Sequence, residues 1–218
     1  MRLKALFTLA FGIVCSAAFS QSNSNDTTVH KKSSFLYRAE IGYSETLRYG
    51  DHNSSTPFHN IRFGGNVEIP LNTYFGVETG LNYNYGFGEK SQYYAVPTDT
   101  AKYSYTSHSL NVPARITFNL PIFWGLKLFA YAGPSFNIGL SEPTKLTTNT
   151  TYHLTGSDYD AYKEKVNRFN IRLGTGGGVQ WKSLRIKSGY DWGILNIGKV
   201  KGLSEYDRGW SVSLEYEF

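Results

Sequence analysis

The sequence predicts an all-β protein, an eight-stranded up-and-down antiparallel transmembrane β-barrel, and three observations carry that prediction. Apolar and polar residues alternate with a period of two through eight segments. The joins between segments alternate between short and long after a long first one. Glycines and charged residues share one face of the strands, opposite the apolar face. Composition agrees, because 17 Tyr, 14 Phe and 22 Gly, with scarcely any apolar repeat at helical spacing, favour strands over helices.

Before the first strand, "MRLKALFTLAFGIVCSAAFSQ" has a basic tip (Arg2, Lys4), an apolar run and the small residues Ala18 and Ser20. That arrangement predicts a signal peptide over residues 1–20. Its apolar run is short for a membrane span, and the "GIVC" before Ser16 lacks the small residue a lipoprotein cysteine needs. Residues 21–34, "QSNSNDTTVHKKSS", are a polar tether, and residues 35–218 form one domain. Cleavage removes Cys15, the sole cysteine, so disulfides and cysteine metal sites are excluded. Loss of Arg2 and Lys4 also lowers the formal charge from +5 to +3, and no basic stripe suits nucleic acid.

The strands are expected at Phe35 to Leu47, Phe58 to Ile69, Tyr74 to Tyr85, Leu110 to Phe118, Leu126 to Leu140, Phe169 to Gln180, Leu184 to Ile194 and Gly209 to Phe218. Pro70 to Thr73, Asn119 to Gly125 and Trp181 to Ser183 are short joins. Arg48 to Pro57, Gly86 to Ser109, Ser141 to Arg168 and Leu195 to Arg208 are long. A meander with tight turns at one end and long loops at the other has this pattern, which predicts periplasmic termini and extracellular loops in a bacterial outer membrane.

Alternation alone does not say which face points inward. The charged face carries Arg38, Glu40, Arg62, Glu68, Glu78, Arg115, Lys127, Arg172, Arg185, Lys187, Asp191, Glu215 and Glu217. Each basic member at a bilayer midplane would cost about 2–4 kcal/mol, and seven of them would exceed a fold stability of roughly 5–15 kcal/mol. In a membrane this face must point in. Gly42, Gly64, Gly76, Gly80, Gly174, Gly176, Gly178, Gly189 and Gly193 lie on the same face, where they make room for side chains to cross the lumen. The opposite face, with Tyr37, Ile41, Ile61, Phe63, Leu81 and Ile116, places aliphatics mid-strand and aromatics toward strand ends, as a lipid-facing wall does. Seven basic against six acidic inward residues predict a lumen plugged by ion pairs. A narrow diffusion pore, the alternative, would favour one sign.

The last strand, "GWSVSLEYEF", sets Trp210, Val212, Leu214, Tyr216 and Phe218 on one side. Full alternation suits a strand that must pair with the first to close a barrel. The aromatic-ended stretch also resembles an insertion signal that barrel-assembly machinery binds by strand addition.

"FAYAGPSFNIGL" (Phe129 to Leu140) and "NIRLGTGGGVQWKSLRIKSGYDWGILNI" (Asn170 to Ile197), with the terminal strand, resemble the outer-membrane β-barrel domain common in Bacteroidota, which includes PorT-like proteins. The resemblance implies an eight-stranded outer-membrane barrel in contact with outer-membrane lipid, and for some PorT-like members an accessory role in protein secretion. An enzymatic rim could draw on Asp51 to Ser55, His59, His108 and His153, but no nucleophile motif surrounds any serine, so no catalytic residue is assigned. No metal or cofactor motif is present either, the histidines being scattered. Tyr93, Tyr94, Tyr103 and Tyr105 in the second long loop, and Tyr152, Tyr159 and Tyr162 in the third, admit two readings. They form a contact surface for an extracellular ligand or protein partner, or they extend the barrel strands. A small outer-membrane protein with a structural or surface-interaction role, and not an enzyme, is the expectation.

Overall fold

The computed structural model describes residues 35–50, 56–93, 100–149, 159–199, 202 and 204–218. The leader, the tether, Asp51 to Ser55, Tyr94, Tyr152 and His153 lie outside the described residues. The elements in chain order are β1 (Leu36–Gly50), β2 (Thr56–Pro70), β3 (Phe75–Tyr93), β4 (Thr100–Pro121), β5 (Leu126–Ser141), β6 (Pro143–Asn149), β7 (Tyr159–Asp160), α1 (Ala161–Glu164), β8 (Phe169–Trp181), β9 (Leu184–Gly193) and β10 (Glu205–Glu217).

Eight strands close into an antiparallel ring, β1-β2-β3-β4-β5-β8-β9-β10, with β10 returning to β1. The closing pair runs from Arg38 opposite Glu217 to Gly50 opposite Glu205, so neither strand is left with a free edge. Two further strands sit above the ring: β6 continues the line of β5 beyond Glu142 and pairs with the first part of β4, and β7 pairs with β6. A bulge between His108 and Ser109 of β4 lies within the β4–β5 pairing, shortly after β4 passes from β6 to β5.

The tight joins have local causes. At 71–74, Asn72 Oδ1 accepts the backbone N–H groups of Tyr74 and Phe75, each at 2.8 Å, which holds the chain in an Asx turn. At 122–125, Trp124 and Gly125 adopt left-handed conformations (φ 50° and 80°) and Leu126 N donates to Phe123 O at 2.9 Å. Lys182 (φ 52°) reverses the chain between Trp181 and Leu184, a two-residue hairpin that suits the right-handed strand twist.

The strands outrun their expected limits at the long-loop end. β3 reaches Tyr93 and β4 begins at Thr100, paired all the way, although apolar alternation stops near Tyr85 and Leu110. Alternation reports a contrast between two environments, whereas the backbone ladder continues wherever two strands remain side by side. The third long loop is likewise built: β6, β7 and α1 lie within it. Asp160 caps α1 by accepting from Tyr162 N at 3.0 Å, and it also accepts from Glu142 N at 3.2 Å, tying the helix to the end of β5.

The ring is polar inside and apolar outside. Ile41 and Ile116 are 60% and 62% exposed on the outer wall, while Arg185 and Glu215 are 0% exposed within. The single buried apolar cluster among the described residues, Ala161, Tyr162, Val166 and Ile197, lies in the connections at the long-loop end. Space inside is tight enough to dictate glycine at two facing positions. Tyr131 of β5 crosses Gly176 and Gly189, partners on β8 and β9, and a Cβ on Gly189 would lie 2.1 Å from Tyr131 Oη and 2.8 Å from Thr175 O. Gly189→Ala is therefore expected to lower the urea midpoint in micelles by an amount worth about 1–3 kcal/mol. Adding Tyr131→Phe recovers part of that loss by removing the oxygen. Unchanged unfolding in the single variant would refute the tight fit.

Candidate functional site: the lumen and its cap

The strand alternation aims one charged row of each strand at the barrel axis, and the ring geometry decides which rows meet. Counting around the eight strands, β9 stands opposite β3, and β1 opposite β5. Two cations of β9 reach across. Arg185 Nη1 lies 3.3 Å from Glu68, 3.2 Å from Glu78 and 3.6 Å from Glu215. Lys187 Nζ lies 2.5 Å from Glu215, 3.1 Å from Glu40 and 3.6 Å from Glu78. Glu78 belongs to β3, so these contacts occupy the axis itself.

Other members attach to these two hubs. Arg38 donates to Glu68 at 2.6 Å and to Glu217 at 2.8 Å. Glu68 also accepts from Thr117 at 2.8 Å and Asn119 at 2.7 Å. Asn66 bridges Glu40 and Glu215, at 2.5 and 2.9 Å. Arg115 meets Asp191 at 3.2 Å. Arg62 stands apart: its nearest carboxylate, Glu40, is 3.9 Å away, and its Nε donates instead to Asn84 at 2.9 Å.

Aromatic rings support the guanidinium groups from the same inner face. Arg185 lies 3.5 Å from the centroid of Phe129, and Arg115 lies 4.5 Å from that of Tyr131. A planar cation over a ring face gains electrostatic attraction without needing another carboxylate. Not every carboxylate oxygen has a hydrogen bond: Glu40 Oε1, Glu78 Oε1 and Glu215 Oε2 are buried without one. They are held by charge across 3.6–3.9 Å, a long-range attraction that is stronger in a low-dielectric interior than in water.

Of the thirteen charged residues singled out in the sequence, Lys127 alone makes no ion pair among the described residues. It is half-buried at the short-turn end, where it lines a cavity of about 260 Å³ with Asn72, Asn119 and Gln180. Arg172 pairs outside the original set, with Asp207, through a bidentate contact of 2.5 to 3.1 Å. Asp207, Arg48 and Glu142 were not picked out from the sequence, yet Arg48 holds Glu142 bidentately at 2.8 and 2.9 Å across the ring. Arg48 and Asp207 keep the inward parity of β1 and β10. Carrying the alternation one or two steps past the last apolar residue would have found them.

The long-loop end closes over this polar interior. Tyr162 of α1 packs its ring on Gly139, where a Cβ would come within 2.3 Å of it, and burial pushes its phenol well above the ordinary range, so it stays neutral. The third and fourth connections clasp each other: Val166 bridges Gly198, Asn167 N donates to Ile197 O at 2.7 Å, and Lys199 Nζ donates to Tyr162 O at 2.6 Å.

Of the two readings open for the loop tyrosines, several of the described ones follow the strand-extension reading or are buried. Tyr105 is buried inside β4, with its hydroxyl on Pro57 O at 2.6 Å and its ring 4.6 Å from Phe58, and Tyr162 is buried in the cap. Tyr93, Tyr103 and Tyr159 fall in strands. His59 and His108 face outward in one aromatic band, bonded to Tyr43 and Tyr83. Among the described residues no group of three or more His, Cys, Asp and Glu is arranged to hold a metal ion.

Solved structures similar to the chain include Neisserial surface protein A, at 17% identity, covering 84% of this chain and 97% of that one, with a TM-score of 0.45. The attachment invasion locus protein Ail of Yersinia pestis matches at 13% identity, covering 84% and 98%, with a TM-score of 0.37. CarO2 of Acinetobacter baumannii matches at 13% identity, covering 82% and 99%, with a TM-score of 0.39. No curated protein matches the sequence. The model of the outer membrane protein beta-barrel domain matches residues 19–198, most of the chain, and the protein belongs to that family.

Proposed function

We propose that this outer-membrane barrel is closed to diffusion and serves a structural or surface-interaction role, with no chemistry of its own. The observation that carries the reading is the contact of Arg185 and Lys187 on β9 with Glu78 on the opposite strand, which fills the axis with fixed, mutually paired charges. An ion entering there would have to displace a paired group and leave its partner buried and unmatched, a cost of several kcal/mol. Conducting pores instead keep a wetted path lined by one sign of charge.

In this reading the short turns and both termini of the barrel face the periplasm and the long connections face outward, as is usual for bacterial barrels. Residues 1–20 act as the export signal, and the outward row Trp210, Val212, Leu214, Tyr216 and Phe218 is what the assembly machinery engages before β10 closes on β1. The finer kinship with PorT-like proteins rests on Phe129 to Leu140 and Asn170 to Ile197. With the loop tyrosines partly absorbed into packing, a partner would meet the exposed backs of the third and fourth connections, where Lys163, Lys165, Arg168 and Asn196 are exposed.

Two measurements bear on this. The purified protein in a planar bilayer is expected to show no steady openings at neutral pH, whereas Lys187→Ala, which removes a crossing side chain, yields detectable conductance. Steady openings of the unaltered protein would end the plug reading. Lys187→Met is expected to destabilise the barrel by about 3–5 kcal/mol by stranding Glu40 and Glu215, while Lys127→Met, which breaks no pair, shifts stability by less than about 0.5 kcal/mol. Equal urea midpoints for the two variants would mean that the network contributes nothing.

A further inference from the structure

Between the cap and the crossing ion pairs lies a polar cavity of about 50 Å³, roofed by Tyr162, Val166 and Ile197. Its charged lining is unbalanced: Arg48, Arg62, Arg168 and Arg172 face only Glu142 and Asp207, an excess of two positive charges. The two carboxylates are each taken bidentately, Glu142 by Arg48 and Asp207 by Arg172. Arg62 shares Glu40 with Lys187, at 3.9 and 3.1 Å, and the exposed Arg168 has no carboxylate partner among the described residues. Arg168 donates to Leu140 O at 3.0 Å, and Arg62 reaches only Asn84 at hydrogen-bond distance. Arg62 is 6% exposed, and Arg48 Nε is buried with no acceptor among the described residues. A buried guanidinium whose one carboxylate is shared and lies beyond hydrogen-bond reach is only partly compensated for its lost hydration.

We propose that this cavity is a binding site for one small oxyanion of the phosphate or sulfate class. Size and donor chemistry both select it. A water needs roughly 10–15 Å³ of such space, so the cavity holds about four oxygen-sized groups, enough for a tetrahedral oxyanion and too few for a sugar or a nucleotide. Guanidinium forks match two oxygens of one anion at once, which a halide cannot exploit. Ser107 and Ser109 line the same space and supply neutral hydroxyl donors to the remaining oxygens. The site lies inside the ring, separated from lipid headgroups by the strands, so a free anion from the long-loop end is the source.

The test is isothermal titration calorimetry of the full chain in a maltoside detergent free of phosphate, at constant ionic strength set by chloride. Inorganic phosphate or sulfate is expected to bind saturably at one site per chain, about tenfold or more weakly in Arg62→Gln, and unchanged in Lys127→Gln at the other end of the barrel. Absence of saturable heat with both anions overturns the proposal, as does equal affinity in Arg62→Gln. Should Arg62→Gln fail to fold, crystals of the unaltered protein soaked in selenate decide it: an anomalous peak within hydrogen-bond reach of Arg62 supports the site, and peaks elsewhere only, or none, remove it.

Discussion

Everything in this barrel depends on matching charges across a lumen too narrow to hydrate them separately. Arg185, Lys187, Glu68, Glu78 and Glu215 are all within a few per cent of full burial, and each is tolerable only because the others are within about 4 Å. The rest follows from keeping that arrangement in place. A closed ring fixes which strand stands opposite which, so that both β9 cations find Glu78 of β3. Glycines at 176 and 189 let Tyr131 lie flat where a methyl group would push it, and with it Arg115, out of position. The gain from such a network is specificity of register: a one-residue slip in any strand would turn its charges to the lipid.

The outer wall meets the complementary demand. Between the aromatic bands, the outward row is Ile41, Ile61, Leu81, Ile116, Val179, Ile186, Val212 and Leu214, with no charge. Tyr74, Phe75 and Phe118 cluster at the short-turn end, and Tyr43, Trp210 and His59 at the other. Two polar pairs occur on this wall: Tyr43 hydroxyl with His59 Nδ1 at 2.6 Å, and Tyr83 hydroxyl with His108. A polar group facing hydrocarbon or the crowded interface loses water, and a neighbour one strand away replaces it. These histidines, which the sequence allowed as rim catalysts, bond to tyrosines of the aromatic band in this structure.

Legibility divided along the same physical line. The ring, the facing of its rows and most of the interior charges were readable, because each inward or outward choice leaves a mark on residue type: Glu68 and Glu78 among apolar neighbours can only point in. Pairing partners were not readable. Alternation places Arg185 inside but carries no information on which of six carboxylates lies opposite, since that depends on stagger and tilt around the whole ring. Nor were the structures above the ring. β6, β7 and α1 are held by a few local contacts, such as the Asp160 cap and the Tyr162 ring on Gly139, and their sequence has neither strong period nor a buried apolar face to advertise them. Lys127 shows the converse failure, because parity alone assigned it to a network that its position at the barrel end denies it.

Charge is also distributed unevenly along the axis, and that bears on both proposals. Around the crossing pairs, Arg38, Arg115, Arg185 and Lys187 face Glu40, Glu68, Glu78, Asp191, Glu215 and Glu217, an excess of two negative charges. Around the cavity under the cap the excess is two positive charges. Two oppositely charged layers in series oppose passage of either sign: a cation is repelled at the first layer it meets from the long-loop end, and an anion that passes it is repelled by the second. The upper layer nevertheless attracts anions up to that point. An anion would therefore collect at the cavity and go no further, so the proposed occlusion of the axis and the proposed occupancy of the cavity would both follow from one charge arrangement. Arg62 sits at the boundary, 3.9 Å from a carboxylate of the lower layer and lining the upper one, so its charge couples the two.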